Sequence, residues 1–183
     1  MHPLVIVQGK KVFLTPPRRE RVPTYWKWIC DPEVNATLAD ASACVAIENE
    51  YAWYDENVAC PRNDYVRVDI QETATFKLVG SAELFDIDRA AGCAELGILI
   101  GEKECWGRGY GTEATALLAR YGFVTLNLAS ILLRLDDFNT RGFAAYRRVG
   151  FREAGRRRSA VLKDGVRHDE ILMDLLPADL VMP

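Results

Sequence analysis

A strand that leads through a glycine-rich turn into a helix is the feature that most constrains the fold of this chain. The segment begins as an apolar run, Cys93 to Ile100, and reaches an amphipathic helix at Thr112 after three alternating glycines, Gly107, Gly109 and Gly111. Glycines let a backbone approach a ligand closely, and the first N–H groups of a helix have no partner within that helix. The turn therefore predicts an anion site, and the anion that we expect there is a pyrophosphate.

Two common pyrophosphate-binding motifs fit this segment poorly. The phosphate loop of ATP and GTP enzymes ends in Gly-Lys-Ser/Thr, and no lysine follows these glycines. A dinucleotide-binding fingerprint has a third glycine after two spacers, where this chain has Thr112, and an acidic residue about 20 positions later in a strand. The region around Ile131 to Leu133 has no such acidic residue. The pyrophosphate site is therefore expected to be of another kind.

A third motif fits the glycine turn. Residues 106–111, Trp-Gly-Arg-Gly-Tyr-Gly, resemble the coenzyme A motif of the GNAT superfamily of acetyltransferases, Gln/Arg-x-x-Gly-x-Gly/Ala, with tryptophan in the first position. That tryptophan resembles the branch that acts on ribosomal-protein N-termini and polyamines. The segment from Asn139 to Phe151, which contains Tyr146 and closes in Gly-Phe, resembles the second signature of the family, and Phe13 to Pro16 and Trp28 to Val34 resemble its first strand and first helix.

The resemblance implies an α+β fold: a mixed, largely antiparallel central sheet of six to seven strands flanked by about four helices. We expect residues 1–183 to form a single acetyltransferase domain, because a chain of 183 residues is typical of one compact unit. Hydrophobic periodicity agrees with this fold. It predicts helices from about Arg19 to Ile29 and from about Val45 to Val58, and a final strand pair, Phe151 to Leu162 and Asp169 to Leu175.

The resemblance also implies how acetyl-CoA, the expected co-substrate, is bound. Backbone N–H groups of the glycine turn hold the pyrophosphate, and the preceding strand, splayed from its neighbour, pairs with pantetheine and provides an oxyanion donor near Leu99. Asn139 resembles the family asparagine that contacts the cofactor, whereas from the residues alone an asparagine before a helix is a cap. The expected cofactor-binding residues are Ile98, Leu99, Ile100, Trp106, Gly107, Arg108, Gly109, Tyr110, Gly111, Thr112 and Asn139.

Two residues are the catalytic candidates. Tyr146 resembles the family tyrosine that protonates the departing thiolate, and the alternative is a core tyrosine that packs beside Phe143 on one helix face. Glu95 resembles the position where histone-acetylating members carry their catalytic glutamate, and it would act as a base directly or through a water. The alternative for Glu95 is a carboxylate on the solvated face or against an arginine. Other candidate bases are Glu83, Asp136 and His168.

The need for a base depends on the amine acceptor. At pH 7 a lysine-like amine is uncharged in about one molecule in 2,500, whereas an α-amino group is uncharged in roughly one in seven. The segment from Asp31 to Asp64 has eight acidic residues and one base, and the segment from Arg141 to Arg167 has nine basic residues and two acidic ones. Opposed charges of this kind suit an anionic co-substrate and a cationic acceptor, although solvated charged faces are also common. The acidic segment falls where the resembled family builds its acceptor wall. Tyr51, Trp53 and Tyr54 are expected either to line the same wall or, as is more common for aromatic residues on a helix, to belong to the core.

Composition restricts the remaining functional classes. The chain has no apolar run near the ~20 residues of a membrane span and a net charge of −3, so we expect neither a membrane nor a nucleic-acid partner. Two histidines and five cysteines without paired spacing predict no metal site and reduced thiols, as in a cytoplasmic protein. The expected partner is an amine acceptor, a peptide N-terminus or a small cationic amine, and a homodimer is left open.

The leading hypothesis is an acetyl-CoA-dependent N-acetyltransferase that acts on a primary amine by direct transfer in a ternary complex. The alternative is a non-catalytic module that binds or senses acyl-CoA on the same fold. Such a module would keep the glycine turn and tolerate the loss of Tyr146 and Glu95. Both residues are present in the chain, which favours the enzyme.

Overall fold

A single eight-stranded sheet dominates the computed structural model, which describes residues 4–38, 45–60 and 62–183. The strand order is β1-β2-β3-β4-β5-β6-β8-β7, and every neighbouring pair is antiparallel except β5 and β6. The predicted mixed, mostly antiparallel sheet is thus confirmed, with eight strands where six to seven were expected. The strands are β1 (Val7–Gln8), β2 (Val12–Thr15), β3 (Val66–Glu72), β4 (Leu78–Asp88), β5 (Cys93–Ile100), β6 (Ser130–Asp136), β7 (Arg152–Lys163) and β8 (Val166–Leu175).

Five α-helices lie in the described part of the chain, beside short 3-10 turns. The predicted first helix is a 3-10 turn, Arg19–Arg21, that continues into an α-helix, and the second predicted helix is correct to within two residues at each end. The helices are α1 (Val22–Ile29), α2 (Pro32–Asn35), α3 (Ile47–Asn57), α4 (Tyr110–Val124) and α5 (Thr140–Val149).

The two faces of the sheet are covered by different helices. Parallel strands need a crossover connection, and α4 provides it between β5 and β6. Alternate strand residues such as Leu84, Leu96 and Ile131 pack with α4 in the main core. A second apolar cluster, centred on Tyr25, Trp28 and Tyr54 of α1 and α3, includes Leu99 of β5. The opposite face of β3, β4 and β5 therefore lies under α1 and α3.

The parallel strands β5 and β6 separate halfway along β5. Their pairing ends at Glu95 and Leu132, whereas β4 continues to pair with β5 as far as Ile100. Beyond that point β6 pairs with β8 alone. The last five residues of β5 consequently lack a β6 partner, and the splay that the family resemblance implies is present.

Two further findings concern the helices and the cysteines. No helix within the described ranges is long and apolar enough to cross a membrane. Cys60, Cys93 and Cys105 are free thiols, whereas Cys30 is disulfide-bonded, so the expectation of reduced thiols is wrong at Cys30.

Candidate active site

The glycine turn begins α4 with a row of backbone donors at the cavity. Gly107 and Gly109 have φ values of 74° and 84°, a left-handed conformation that disfavours any side chain. Gly109 is the N-cap residue, so α4 begins at Tyr110, two residues before the predicted start. The first N–H groups of the helix, from Tyr110 to Thr112, have no acceptor within it. The positive end of the helix dipole therefore faces the turn.

A buried carboxylate anchors this turn to the first hairpin. Glu113 is 5% exposed, and its two oxygens accept hydrogen bonds from the backbone N–H groups of Lys10, Lys11 and Val12 at 2.7, 2.8 and 3.1 Å. The sequence analysis missed this residue. The only sequence signal for this role was an acidic side chain in the first turn of a helix. Such a residue is usually explained by its favourable interaction with the helix dipole.

One cavity occupies the opening between β5 and β6. It contains about 830 Å³ of empty space, part of it open to solvent, and is bounded by β5, the glycine turn and α5. Ten of the eleven expected cofactor-binding residues line it, and Arg108 does not. The cavity also takes in residues that were not predicted: Val34, Thr37, Cys105, Thr115, Arg141, Gly142, Ala145 and Arg148.

Arg108 points away from this cavity. It lies beside Lys10, Lys11 and Glu72 at a separate surface depression, and its backbone oxygen accepts a hydrogen bond from Lys11 Nζ at 2.9 Å. The positive charges nearest the cavity are Arg141 and Arg148 of α5.

Trp106 links the glycine turn to both neighbouring elements. Its Nε1 donates a hydrogen bond to the Ile100 carbonyl at 2.7 Å, and the Arg141 guanidinium lies 3.9 Å from its ring centroid. Tryptophan in the first motif position thus stacks on a cation of α5. The stack therefore connects the glycine turn to α5 at the cavity wall.

Asn139 has two roles in the structure. Its side-chain oxygen accepts a hydrogen bond from Gly142 N at 2.9 Å, which caps α5, and the residue also lines the cavity. The capping interpretation is therefore correct, and contact with the cofactor stays a prediction.

Tyr146 lines the cavity from α5. Its ring lies 6.0 Å from that of Phe151 in an edge-to-face contact, and its hydroxyl forms no hydrogen bond with another described residue. Burial raises the pKa of Tyr146 to about 12. The phenol therefore keeps its proton at neutral pH, as a proton donor must.

Glu95 lies on β5 outside the residues that line the cavity. Its carboxylate pairs with Arg134 Nη2 at 2.7 Å. Burial raises the pKa of Glu95 above its ordinary value, and Arg134 opposes that shift. Glu95 lies four positions before Leu99, which is about 13 Å along a strand. This position agrees with the ion-pair interpretation, and a catalytic role stays a prediction.

The other candidate bases occupy different surroundings. Glu83 Oε2 accepts hydrogen bonds from the Tyr65 hydroxyl at 2.5 Å and from Arg67 at 3.3 Å. Burial raises the pKa of Asp136. His168 Nδ1 lies 2.8 Å from Asp137. In the described ranges no three His, Cys, Asp or Glu side chains are grouped in a way that would hold a metal ion.

Strand register fixes the positions of some of the candidate bases. Among these, Glu83 lies nearest to Ile98–Ile100, the end of β5 that lines the cavity. It pairs with Gly97, while Ser81 pairs with Leu99. Residues that pair across strands share one face, so Glu83 is the diagonal neighbour of Leu99, at a typical distance of about 7–8 Å.

Much of the acidic segment is neutralised by ion pairs. Lys103 contacts both Asp31 and Glu33, at 2.8 and 3.0 Å, and Arg19 contacts Asp55 at 2.8 Å. These carboxylates do not form a free negative wall. Any attraction for a cationic acceptor must come from other acidic groups.

Comparison with known proteins agrees with this geometry. A family model described as an acetyltransferase (GNAT) domain matches residues 11–152. This chain belongs to the GNAT acetyltransferase family. GNAT enzymes take their acetyl group from acetyl-CoA, and the chain is accordingly an acetyl-CoA-dependent N-acetyltransferase of this family.

The relatives have different acceptors. Alpha/beta-tubulin-N-acetyltransferase 9 from Homo sapiens is 27% identical over 81% of this chain and 75% of its own length. Spermidine N(1)-acetyltransferase from Escherichia coli K12 is 37% identical over 42% of this chain and 40% of its own length. The crystal structure of spermidine N-acetyltransferase from Vibrio cholerae, in complex with CoA and spermine, superposes with a TM-score of 0.84 at 20% identity, covering 93% of this chain and 98% of that one. The fold is therefore shared, and the acceptor is not determined by these relatives.

Proposed function

We propose that the protein transfers the acetyl group of acetyl-CoA directly to a primary amine while both substrates are bound. The acceptor is a protein N-terminus, a polyamine or a small amine. The observation that carries the proposal is a single cavity in which the N-terminal N–H groups of α4 and the Tyr146 side chain meet in the opening between β5 and β6.

The residues around the cavity suit an extended, phosphorylated co-substrate. Backbone N–H groups of Tyr110, Gly111 and Thr112 bind the pyrophosphate, aided by the helix dipole. β5 has no β6 partner beyond Glu95, so its edge offers backbone groups to pantetheine, except the Ile100 carbonyl, which already accepts from Trp106 Nε1. As the family resemblance implies, the oxyanion donor is a backbone N–H near Leu99. Trp106, Gly107, Gly109 and Asn139 complete the wall, and Arg108 contributes its charge from outside the cavity.

Tyr146 is the proposed proton donor. Its hydroxyl has no competing partner among the described residues, and its raised pKa of about 12 keeps it protonated at neutral pH. It would deliver its proton to the sulfur of the departing thiolate, since a thiolate is a poorer leaving group in an apolar cavity than in water.

Glu83 is the base that we favour over Glu95. It shares a face and a diagonal register with Leu99, whereas Glu95 lies four positions from Leu99 along β5. Glu83 would take the ammonium proton through one bridging water. An α-amino acceptor needs this help least, because it is already uncharged in roughly one molecule in seven at pH 7.

The test of this proposal is release of free thiol from acetyl-CoA with a panel of amines. The panel holds peptides with Ala or Ser N-termini, spermidine, aminoglycosides and free amino acids. Tyr146→Phe should lower kcat by about 100-fold or more while the Kd for acetyl-CoA stays unchanged. Tyr121→Phe, on α4 and away from the cavity lining, is the matched control. Equal turnover of the two variants would remove Tyr146 from its role.

The base is tested by the pH profiles of Glu83→Gln and Glu95→Gln. Loss of the base should reduce kcat/KM most below pH 8 and progressively less at higher pH, where the amine loses its proton unaided. We expect that profile for Glu83→Gln. The same profile in Glu95→Gln, with a flat one in Glu83→Gln, would reassign the base to Glu95.

A further inference from the structure

Two side chains hold one oxygen of the Glu83 carboxylate and leave the other oxygen free. Arg67 of β3 pairs with Glu83 of β4, and Tyr65 lies two residues before Arg67, so the three side chains share one face of the sheet. The Tyr65 hydroxyl donates to Glu83 Oε2 at 2.5 Å, and Arg67 Nη1 donates to the same atom at 3.3 Å. Oε1 accepts no hydrogen bond from any described residue.

Both donors are fixed in place. Burial and the Glu83 charge raise the pKa of Tyr65 well above its usual range, so the hydroxyl keeps its proton and donates throughout the pH range of the reaction. The Arg67 guanidinium lies between the rings of Tyr25 and Trp53, 5.3 and 4.8 Å from their centroids. The position of Glu83 Oε2 is therefore set by groups that cannot easily turn away.

Gly97 provides the space in which Oε1 lies. It is the cross-strand partner of Glu83 on β5, and a Cβ at this glycine would lie 3.2 Å from Glu83 Oε1 and 3.3 Å from Glu83 Cγ. Contacts that short would force the carboxylate to move by a few tenths of an ångström. The absence of a side chain at Gly97 therefore lets the carboxylate lie over β5.

The free oxygen is accessible beside the reacting part of β5. The side chain of Glu83 is 30% exposed. Gly97 lies two positions before Leu99 on the same face of the strand, or about 7 Å along it, and Leu99 lines the cavity. Oε1 thus lies on the side of β5 where the proposed oxyanion donor is located.

We propose that Tyr65 and Gly97 are positioning residues for the base: Tyr65 holds Oε2 of Glu83, and Gly97 leaves Oε1 free over β5 to take the proton of the acceptor. This inference rests on the proposed function, in which Glu83 is the base. The acceptor ammonium gives one proton to the bridging water, and that water gives one to Oε1. The neutral amine then attacks the thioester carbonyl, and Glu83 later releases its proton to solvent.

The test is a set of double-mutant cycles, measured as thiol release from acetyl-CoA with spermidine and with a peptide that has an Ala N-terminus. Tyr65→Phe should shift the acidic limb of the kcat/KM profile to higher pH by about one unit, because the charged carboxylate loses a hydrogen bond. Gly97→Ala should lower kcat/KM by about tenfold through displacement of the carboxylate. In a Glu83→Gln background neither change should have a further effect.

The chain offers a matched control for each variant. Tyr121→Phe removes a hydroxyl away from the cavity lining. Gly155→Ala adds a Cβ to a strand glycine where no atom lies within 4 Å of it. Both controls should leave kcat/KM and its pH profile unchanged. Calorimetry should give an unchanged Kd for acetyl-CoA, thermal denaturation checks folding, and Tyr65→Phe, which preserves shape, keeps the test usable if Gly97→Ala unfolds the protein.

The outcomes separate this inference from the enzymatic proposal. An unshifted pH profile in Tyr65→Phe, or losses that persist undiminished in the Glu83→Gln background, would overturn the positioning roles and leave Glu83 as the base. A flat profile in Glu83→Gln, with thiol release that still depends on Tyr146, would remove the base and both positioning residues and leave amine acetylation standing. Absence of thiol release with every amine of the panel would reject both proposals.

Discussion

Replacement of Glu113 by glutamine should destabilise the protein by about 3 kcal/mol. In the wild type the carboxylate accepts three backbone hydrogen bonds, from Lys10, Lys11 and Val12, and Val12 is fully buried. Glutamine keeps one acceptor oxygen and turns an NH₂ group toward donors. One bond is then lost and two change from charge-assisted to neutral, at about 1 kcal/mol each.

Urea denaturation of wild type and Glu113→Gln measures this loss, and Glu48→Gln is the control. For a protein of this size the loss corresponds to a fall in Tm of about 6–12 °C. The affinity for acetyl-CoA should also fall, because Glu113 ties the first hairpin to the opening turn of α4. If the free energy of unfolding fell by less than about 1 kcal/mol, water would be replacing the carboxylate at these N–H groups. That result would refute the reasoning, because Val12 is buried away from water.

Three further predictions concern other parts of the site. Gly101→Ala should lower the free energy of unfolding by about 3 kcal/mol in urea denaturation, because a Cβ there would lie 2.0 Å from the buried Trp28 ring. An unchanged free energy of unfolding would contradict this contact. Arg141→Ala should weaken acetyl-CoA binding about tenfold in calorimetry, since it removes a cavity charge and the stack on Trp106, and unchanged binding would exclude both contributions. Glu50→Gln should raise Tm relative to wild type at pH 8 and not at pH 4. The raised pKa of Glu50 means that the protonated form favours the folded state, an advantage that wild type loses as pH rises through that pKa. An equal Tm difference at both pH values would refute the charge-burial argument.

The parts of the site that were predictable are those encoded by contiguous residues. The left-handed glycines before α4 and Tyr146 on the amphipathic helix α5 are local patterns, so their place at the cavity was accessible from spacing and motif. Arg108 shows the limit of that reasoning. It lies inside the motif, yet its side chain turns outward toward Lys10 and Lys11, because neighbouring positions in a turn face different directions.

The long-range pairings could not be predicted in the same way. Glu113 contacts residues about a hundred positions away, and Glu95 meets Arg134 from a neighbouring strand. A carboxylate in an apolar strand is compatible with catalysis or with an ion pair until its partners are known. The acidic run from Asp31 likewise suggested a free negative surface, and Lys103 and Arg19 neutralise much of it.

By itself the sequence determined the glycine turn at the start of α4 and the α+β class, because these depend on local backbone preferences and on hydrophobic periodicity, and its motifs resembled the family that the comparisons show. Only the tertiary structure decided where β5 leaves β6, which arginines face the cavity, and that the Arg67 Nε–H is buried without an acceptor among the described residues. Those properties depend on strand register and on packing between distant elements. Both arise from contacts between distant residues, whose energies no local pattern records.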